Sequence, residues 1–123
     1  MEAGKALEIG QTYAKALANK DVDTILSISA EDIVCTSPIG QTTGKESFRA
    51  FQDGFARMLA NLTVLGVHGD DKQAVVIYVA ETHPVPRSVV AELIKVKDGK
   101  IASTDVIYDA TPFAVYMATV QPH

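Results

Sequence analysis

A single cysteine, Cys35, serves a chain of 123 residues. No internal disulfide is possible, so a reducing compartment, the cytoplasm, is the expected location. Cys35 lies in a strand-like apolar run and reads as a small buried hydrophobe. Basic residues are sparse and scattered: 11 Lys and Arg stand against 15 Asp and Glu, for a formal charge of -4. Without a basic cluster, there is no footprint for nucleic acid or an anionic membrane. Apolar runs are short, and none approaches the roughly 18 residues that a bilayer span requires. The segment Met1-Glu2-Ala3-Gly4-Lys5 lacks the apolar core of a secretion signal. Neither a glycine-rich phosphate loop nor a cofactor fingerprint occurs. His68, His83 and His123 are far apart, without a carboxylate at close ligand spacing, so no metal and no organic cofactor are expected. His68 and His83 read as surface residues and His123 as terminal.

What is present describes one globular domain over residues 1–123, with 47% hydrophobic and 21% charged residues. That length buries a core without disulfide or metal staples. Ala6, Ile9, Tyr13, Ala16 and Leu17 recur at helical spacing, opposite Lys5, Glu8, Thr12, Lys15 and Asn19. Asp21 sits where a helix N-cap belongs, and Ile25, Leu26 and Ile28 predict a short second helix. Ile33 to Ser37 reads as a brief strand stopped by Pro38 and Gly40. Thr43-Gly44-Lys45-Glu46 has capping-box spacing, and Phe48, Phe51, Phe55, Met58, Leu59 and Leu62 continue it as a third helix. The period then changes. Gly69-Asp70-Asp71, Pro84-Val85-Pro86 and Asp98-Gly99 separate four strands, about Leu62 to His68, Gln73 to Thr82, Ser88 to Val96 and Ile101 to Tyr108. Their short connections predict an antiparallel meander. Thr111-Pro112 suggests a closing helix over Phe113 to Ala118. The class is α+β, with three helices against a curved antiparallel sheet.

Strand alternation places Val90, Glu92, Ile94 and Val96 on one face and Ala91, Leu93, Lys95 and Lys97 on the other. A carboxylate among aliphatics must be paired, hydrogen-bonded or neutralised, and burial raises its pKa. In the last strand Thr104, Val106 and Tyr108 share a face opposite Ser103, Asp105 and Ile107. A one-residue shift in register would aim Asp105 inward instead.

Several short segments together resemble the small domains of the nuclear transport factor 2-like superfamily, which includes ketosteroid isomerases and the SnoaL polyketide-cyclase-like group. They are Gln11-Thr12-Tyr13, Ala16-Leu17 with Lys20-Asp21-Val22-Asp23, Ser37-Pro38-Ile39-Gly40 with Gly44, and Asp98-Gly99-Lys100-Ile101 leading to Tyr108-Asp109. The resemblance covers almost the whole chain and implies a cone-shaped fold enclosing a pocket, often as a homodimer through the sheet. It implies that Tyr13 matches the isomerase tyrosine that donates to a substrate carbonyl, and Glu92 the second acid of the oxyanion hole. Ketosteroid isomerase is itself the standard example of a tyrosine and a protonated carboxylic acid stabilising an oxyanion. Ser37 replaces the isomerase base, and a serine hydroxyl takes no proton at neutral pH without a partner base. Val90 and Val106 occupy the places of the arginine and last aspartate of limonene epoxide hydrolases, and Val106 also that of the SnoaL acid.

Each candidate has a second reading. Tyr13 is either a pocket donor or a core tyrosine whose hydroxyl reaches the surface or a backbone carbonyl. Glu92 is a pocket acid, a solvated edge glutamate, or half of a subunit-interface ion pair with a lysine. Ser37 either orients a ligand or shapes its turn, Asp109 either lines the site or fixes the last helix, and Phe51 is core or pocket wall. The expected function is cofactor-independent proton transfer, such as isomerisation, cyclisation or dehydration, on a small apolar, carbonyl-bearing or polycyclic metabolite. Tyr13 and Glu92 would carry the chemistry, and Ser37, Phe51, Thr104, Val106, Tyr108 and Asp109 would line the substrate site. Two alternatives are a noncatalytic binder of a hydrophobic ligand and a dimerisation module using outward residues such as Leu93 and Ile107.

Overall fold

The computed structural model describes residues 4–120. The expectations for Met1 to Ala3 and for His123 lie outside the described residues. Helix α1 (Lys5–Ala18) buries Ala6, Ile9, Tyr13, Ala16 and Leu17, the stripe its periodicity predicts. Gly10 sits on the same face, and a Cβ there would lie 3.1 Å from Ala74 Cβ and 3.2 Å from Val67 Cγ1. Glycine thus lets the helix approach the sheet closely. Helix α2 (Val22–Ser27) starts at Asp21, whose carboxylate accepts from the Thr24 amide, and buries Ile25 and Leu26. Strand β1 (Ser29–Ser37) follows directly, four residues earlier than Ile33, and turns at Pro38-Ile39 into β2 (Gly40–Thr43).

Three expectations are corrected at α3 (Lys45–Met58). Its N-cap is Gly44, with no side-chain cap, instead of Thr43. Thr43 is the last residue of β2, paired with Val34, and Gly44 stands between it and the first helical residue, Lys45, so Thr43 lies one position before the cap. The helix stops at Met58, because Leu59 is already extended and opens strand β3 (Leu59–Gly69). Leu59 and Leu62 therefore reach the core from a strand. Strands β4 (Gln73–Thr82), β5 (Ser88–Lys97) and β6 (Lys100–Ile107) follow, then α4 (Thr111–Val120).

The sheet has six strands in the order β2-β1-β6-β5-β4-β3. The meander from β3 to β6 is antiparallel, and β1 adds to its β6 edge in parallel, with Cys35 beside Thr104. This parallel pairing completes the sheet in a way that connection length alone could not predict. Asp98 and Gly99, at φ 54° and 77°, make the two-residue turn between β5 and β6 that matches strand twist. Register shifts near Asn61 and Leu65 bend β3. Helices α1, α2 and α3 pack on the concave face of this curved, unclosed sheet. Ile33, Phe48, Leu59, Val76, Ile94 and Ile101 form the centre of the core between the layers. Midway along the long β4 and β5, Tyr78 and Glu92 carry polar groups into that core, and there the site lies.

Candidate functional site

Glu92 lies midway along β5, with Val76 opposite it on β4 and Val106 opposite it on β6. Alternation turns Ser88, Val90, Glu92 and Ile94 inward. Glu92 is only 2% exposed, and the register with Asp105 pointing inward is excluded, since Asp105 pairs Leu93 on the opposite face. The carboxylate is satisfied from two elements. Tyr13 Oη on α1 donates to Oε1 at 2.6 Å, and Tyr78 Oη on β4 donates to Oε2 at 2.5 Å. Gln52 Nε2, on α3, donates in turn to Tyr13 Oη at 3.0 Å. Tyr13, Gln52 and Tyr78 are all 2% exposed or less. Bonds of 2.5 to 2.6 Å lie at the short end of the range for hydroxyl donors.

The electrostatics follow from this arrangement. Burial pushes the Glu92 carboxyl up, and the hydrogen bonds from Tyr13 and Tyr78 pull it partly back, leaving it raised overall. Burial, then the nearby Glu92 carboxylate, raise both phenols well above the usual tyrosine value. The tyrosines therefore remain proton donors at physiological pH. Glu92 is the group whose charge can change.

Around this cluster, Val106 and Thr104 are buried on the inner face of β6, and Tyr108 just beyond it is half-buried against the core. Thr104 Oγ1 is buried without a hydrogen-bond partner among the described residues. Beside it the buried Cys35 thiol, pushed up by its own burial, is at best a weak acceptor. Tyr108 stacks edge-on against Phe113 of α4, with ring centroids 5.5 Å apart. Phe51 is half-buried against the core.

Ser37 and Asp109 stand apart from the cluster. Ser37 Oγ donates to the Gly40 carbonyl and accepts from the Ile39 amide, both within its own turn. Asp109 is exposed, and its carboxylate accepts from the Thr111 amide at the start of α4, which holds its pKa below the usual range. In this structure both side chains serve local backbone geometry.

Gln52 and Tyr78 escaped the sequence reading, although each left a signal. Gln52 falls on the buried face between Phe48, Phe51 and Phe55, so a polar residue occupies a core position and must find a partner there. Tyr78 alternates with Ala74, Val76 and Ala80, the inward set of β4. Its approach to Glu92 depends on the β4–β5 register, in which Tyr78 pairs Val90 and so lies diagonal to Glu92.

Residues 10–104 match the family model of the SnoaL-like domain. The chain belongs to the SnoaL-like domain family. A crystal structure of a protein from Kribbella flavida is similar at 38% identity and a TM-score of 0.86, over 93% of this chain and 94% of that one. A provisionally named ketosteroid isomerase from the same organism is similar at 18% identity and TM-score 0.76, covering 85% and 78% of the two chains. An LEH-like epoxide hydrolase of Mycobacterium tuberculosis is similar at 15% identity and TM-score 0.71, covering 94% and 90%. These last two establish likeness of fold alone. No curated protein matches the chain. Within the SnoaL-like frame, the residues that close over Glu92 come from α1, α3 and β4, so the fold itself builds the cluster. No helix among the described residues is long and apolar enough to cross a membrane.

Proposed function

We propose that this SnoaL-like protein binds a small, mainly apolar, carbonyl-bearing metabolite and moves a proton on it without a cofactor, with Glu92 as the acid-base group and Tyr13 as the hydrogen-bond donor. The observation that carries this reading is the 2.6 Å bond between Tyr13 Oη and a carboxylate whose pKa is raised by burial. A carboxyl moved up from its ordinary value suits proton transfer near neutral pH. Glu92 would take the proton from the carbon next to the carbonyl, the electrons would move onto the carbonyl oxygen, and a tyrosine hydroxyl released from Glu92 would stabilise the resulting enolate. Returning the proton to a second carbon would complete an isomerisation. Thr104 Oγ1, buried and unpartnered, supports a second polar contact for the ligand on the same inner face.

Because Tyr13 and Glu92 are closed from solvent, the ligand needs an opening. Tyr108, half-buried at the end of the inward set of β6 and stacked on Phe113, favours an entrance beneath the start of α4. The test is incorporation of deuterium from heavy water into a panel of apolar ketones, followed by mass spectrometry. Glu92→Gln should abolish exchange and Tyr13→Phe should slow it at least tenfold; unchanged exchange in both variants sinks the mechanism.

The same fold could retain a hydrophobic ligand without altering it. The position of Ser37, bonded within its own turn where a steroid isomerase keeps its base, favours this second reading. A lipid-like compound recovered unaltered from gently purified protein would support it. Assembly as a homodimer is part of the proposal. The convex sheet face pairs Val79 with Val89 and Ala91 with Ile107, and Val89 and Ile107 are 48% and 61% exposed. Light scattering that finds a monomer at micromolar concentration removes that part.

A further inference from the structure

Gln52 is the one member of the buried cluster that neither ionises nor touches the carboxylate. We infer that Gln52 is a positioning residue that fixes the direction of the Tyr13 hydroxyl toward Glu92 and thereby favours the ionised form of that carboxyl. This rests on the reading of Glu92 as the acid-base group, but its test does not require turnover.

A tyrosine hydroxyl has one proton to give and lone pairs with which to accept. Gln52 Nε2 donates into Tyr13 Oη at 3.0 Å, so that oxygen serves as acceptor toward α3, and its own proton goes to Glu92 Oε1 at 2.6 Å. The chain of donors runs one way, from Gln52 through Tyr13 to Glu92, with Tyr78 entering from the other side. Donation into a hydroxyl strengthens its own donation, so the amide favours an ionised Glu92 through Tyr13. Gln52 is 2% exposed, and this is the only hydrogen bond of its side chain among the described residues. A buried amide on an apolar helix face has its cost offset only by such a bond.

An uncharged amide is suited to this task because it does not titrate. A carboxylate at position 52 could only accept, would draw the Tyr13 proton to itself, and would add a second negative charge near Glu92. Both effects would hold Glu92 protonated. The titratable groups facing the cluster are Tyr13 from α1, Tyr78 from β4, Cys35 from β1 and Tyr108 beyond β6. Burial raises all four, which keeps their protons in place and leaves Glu92 as the group of the cluster whose charge changes.

The experiment is carbon-13 NMR of glutamate-labelled protein, with the Glu92 carboxyl signal assigned by its loss in Glu92→Gln. Gln52→Leu should move the Glu92 midpoint upward by about one pH unit, and Gln52→Glu should move it further. In a Tyr13→Phe background the Gln52→Leu shift should vanish, because Gln52 acts through Tyr13. An equal shift in both backgrounds, or no shift in either, overturns the inference. If the variants do not fold, the unmodified protein still decides. The Gln52 side-chain amide signals should move with the same midpoint as Glu92, and amide signals that stay flat through that titration also overturn it. Loss of ketone exchange in Glu92→Gln tests the catalytic reading separately.

Discussion

The middle of β5 and the turn after β1 each present an oxygen-bearing side chain that a small-molecule enzyme could use, and the fold treats them in opposite ways. Glu92 is taken out of water and held by phenols from α1 and β4. Ser37 stays partly accessible and spends its hydroxyl on Gly40 and Ile39 of its own turn. A side chain satisfied by neighbours in sequence is fixed by local backbone geometry. One satisfied by residues 14 and 79 positions away is fixed by the packing of the whole domain. Removing a partner should therefore be costly in the first region and nearly free in the second.

The largest effect is expected for Tyr13→Phe. It leaves Glu92 short of a donor and Gln52 without its acceptor, both in a dry interior. Each unsatisfied buried group costs about 1–3 kcal/mol, and partial relaxation should hold the total near 3 kcal/mol. Urea denaturation measures it, and a loss below about 0.5 kcal/mol, the range of ordinary surface substitutions, would erase the contrast with Ser37. Next is the pH dependence of stability. Burial raises the Glu92 pKa in the fold, so the native protein keeps this proton to higher pH than the unfolded chain does. The resulting stability is complete below the ordinary glutamate range and is lost as pH rises through the raised native value. Each unit of difference contributes about 1.4 kcal/mol. Glu92→Gln should lack this slope, so its stability relative to the unmodified protein should rise across that window. Parallel curves of stability against pH for the two proteins would show that Glu92 titrates as an ordinary exposed glutamate.

The same contrast governs what could be read before the structure. The α1 stripe, the Asp21 cap and the inward face of Glu92 were legible because helical and strand periods record burial residue by residue. Three strands of the meander kept nearly their expected bounds, since Asp70-Asp71 and Asp98-Gly99 punctuate them. Thr43 misled because a capping-box pattern describes a helix start only if the threonine is free of other structure, and here β2 claims it. The end of α3 was misplaced because Leu59 and Leu62 suit a helical stripe and a bulged strand equally well. Gln52 and Tyr78 carried weak local signals, and their roles depend on how α1, α3 and β4 converge on one carboxylate. That convergence is tertiary, and no single period encodes it.

Smaller effects refine the comparison. Thr104 is buried like Glu92 yet has only the weakly accepting Cys35 thiol beside it, so Thr104→Val keeps the shape of the side chain and removes a hydroxyl that gains little from the fold. Stability should rise by about 1 kcal/mol. A loss of similar size would reveal an ordered water or ligand bonded to Oγ1.

The smallest effect is expected at Ser37. Its hydroxyl makes bonds of 3.3 and 3.4 Å, longer than a strong hydroxyl bond, on a turn where Pro38, Ile39 and Gly40 are exposed. In Ser37→Ala, water can replace both partners, and Pro38 still restricts the backbone. Stability should change by less than about 0.5 kcal/mol. Deuterium exchange into ketones should also be unchanged, because no bond joins Ser37 to the Glu92 cluster. If exchange fell tenfold while the melting curve stayed the same, the turn would contribute to the chemistry. The division between a buried acid-base cluster and a structural turn would then have to be redrawn to include the β1–β2 hairpin.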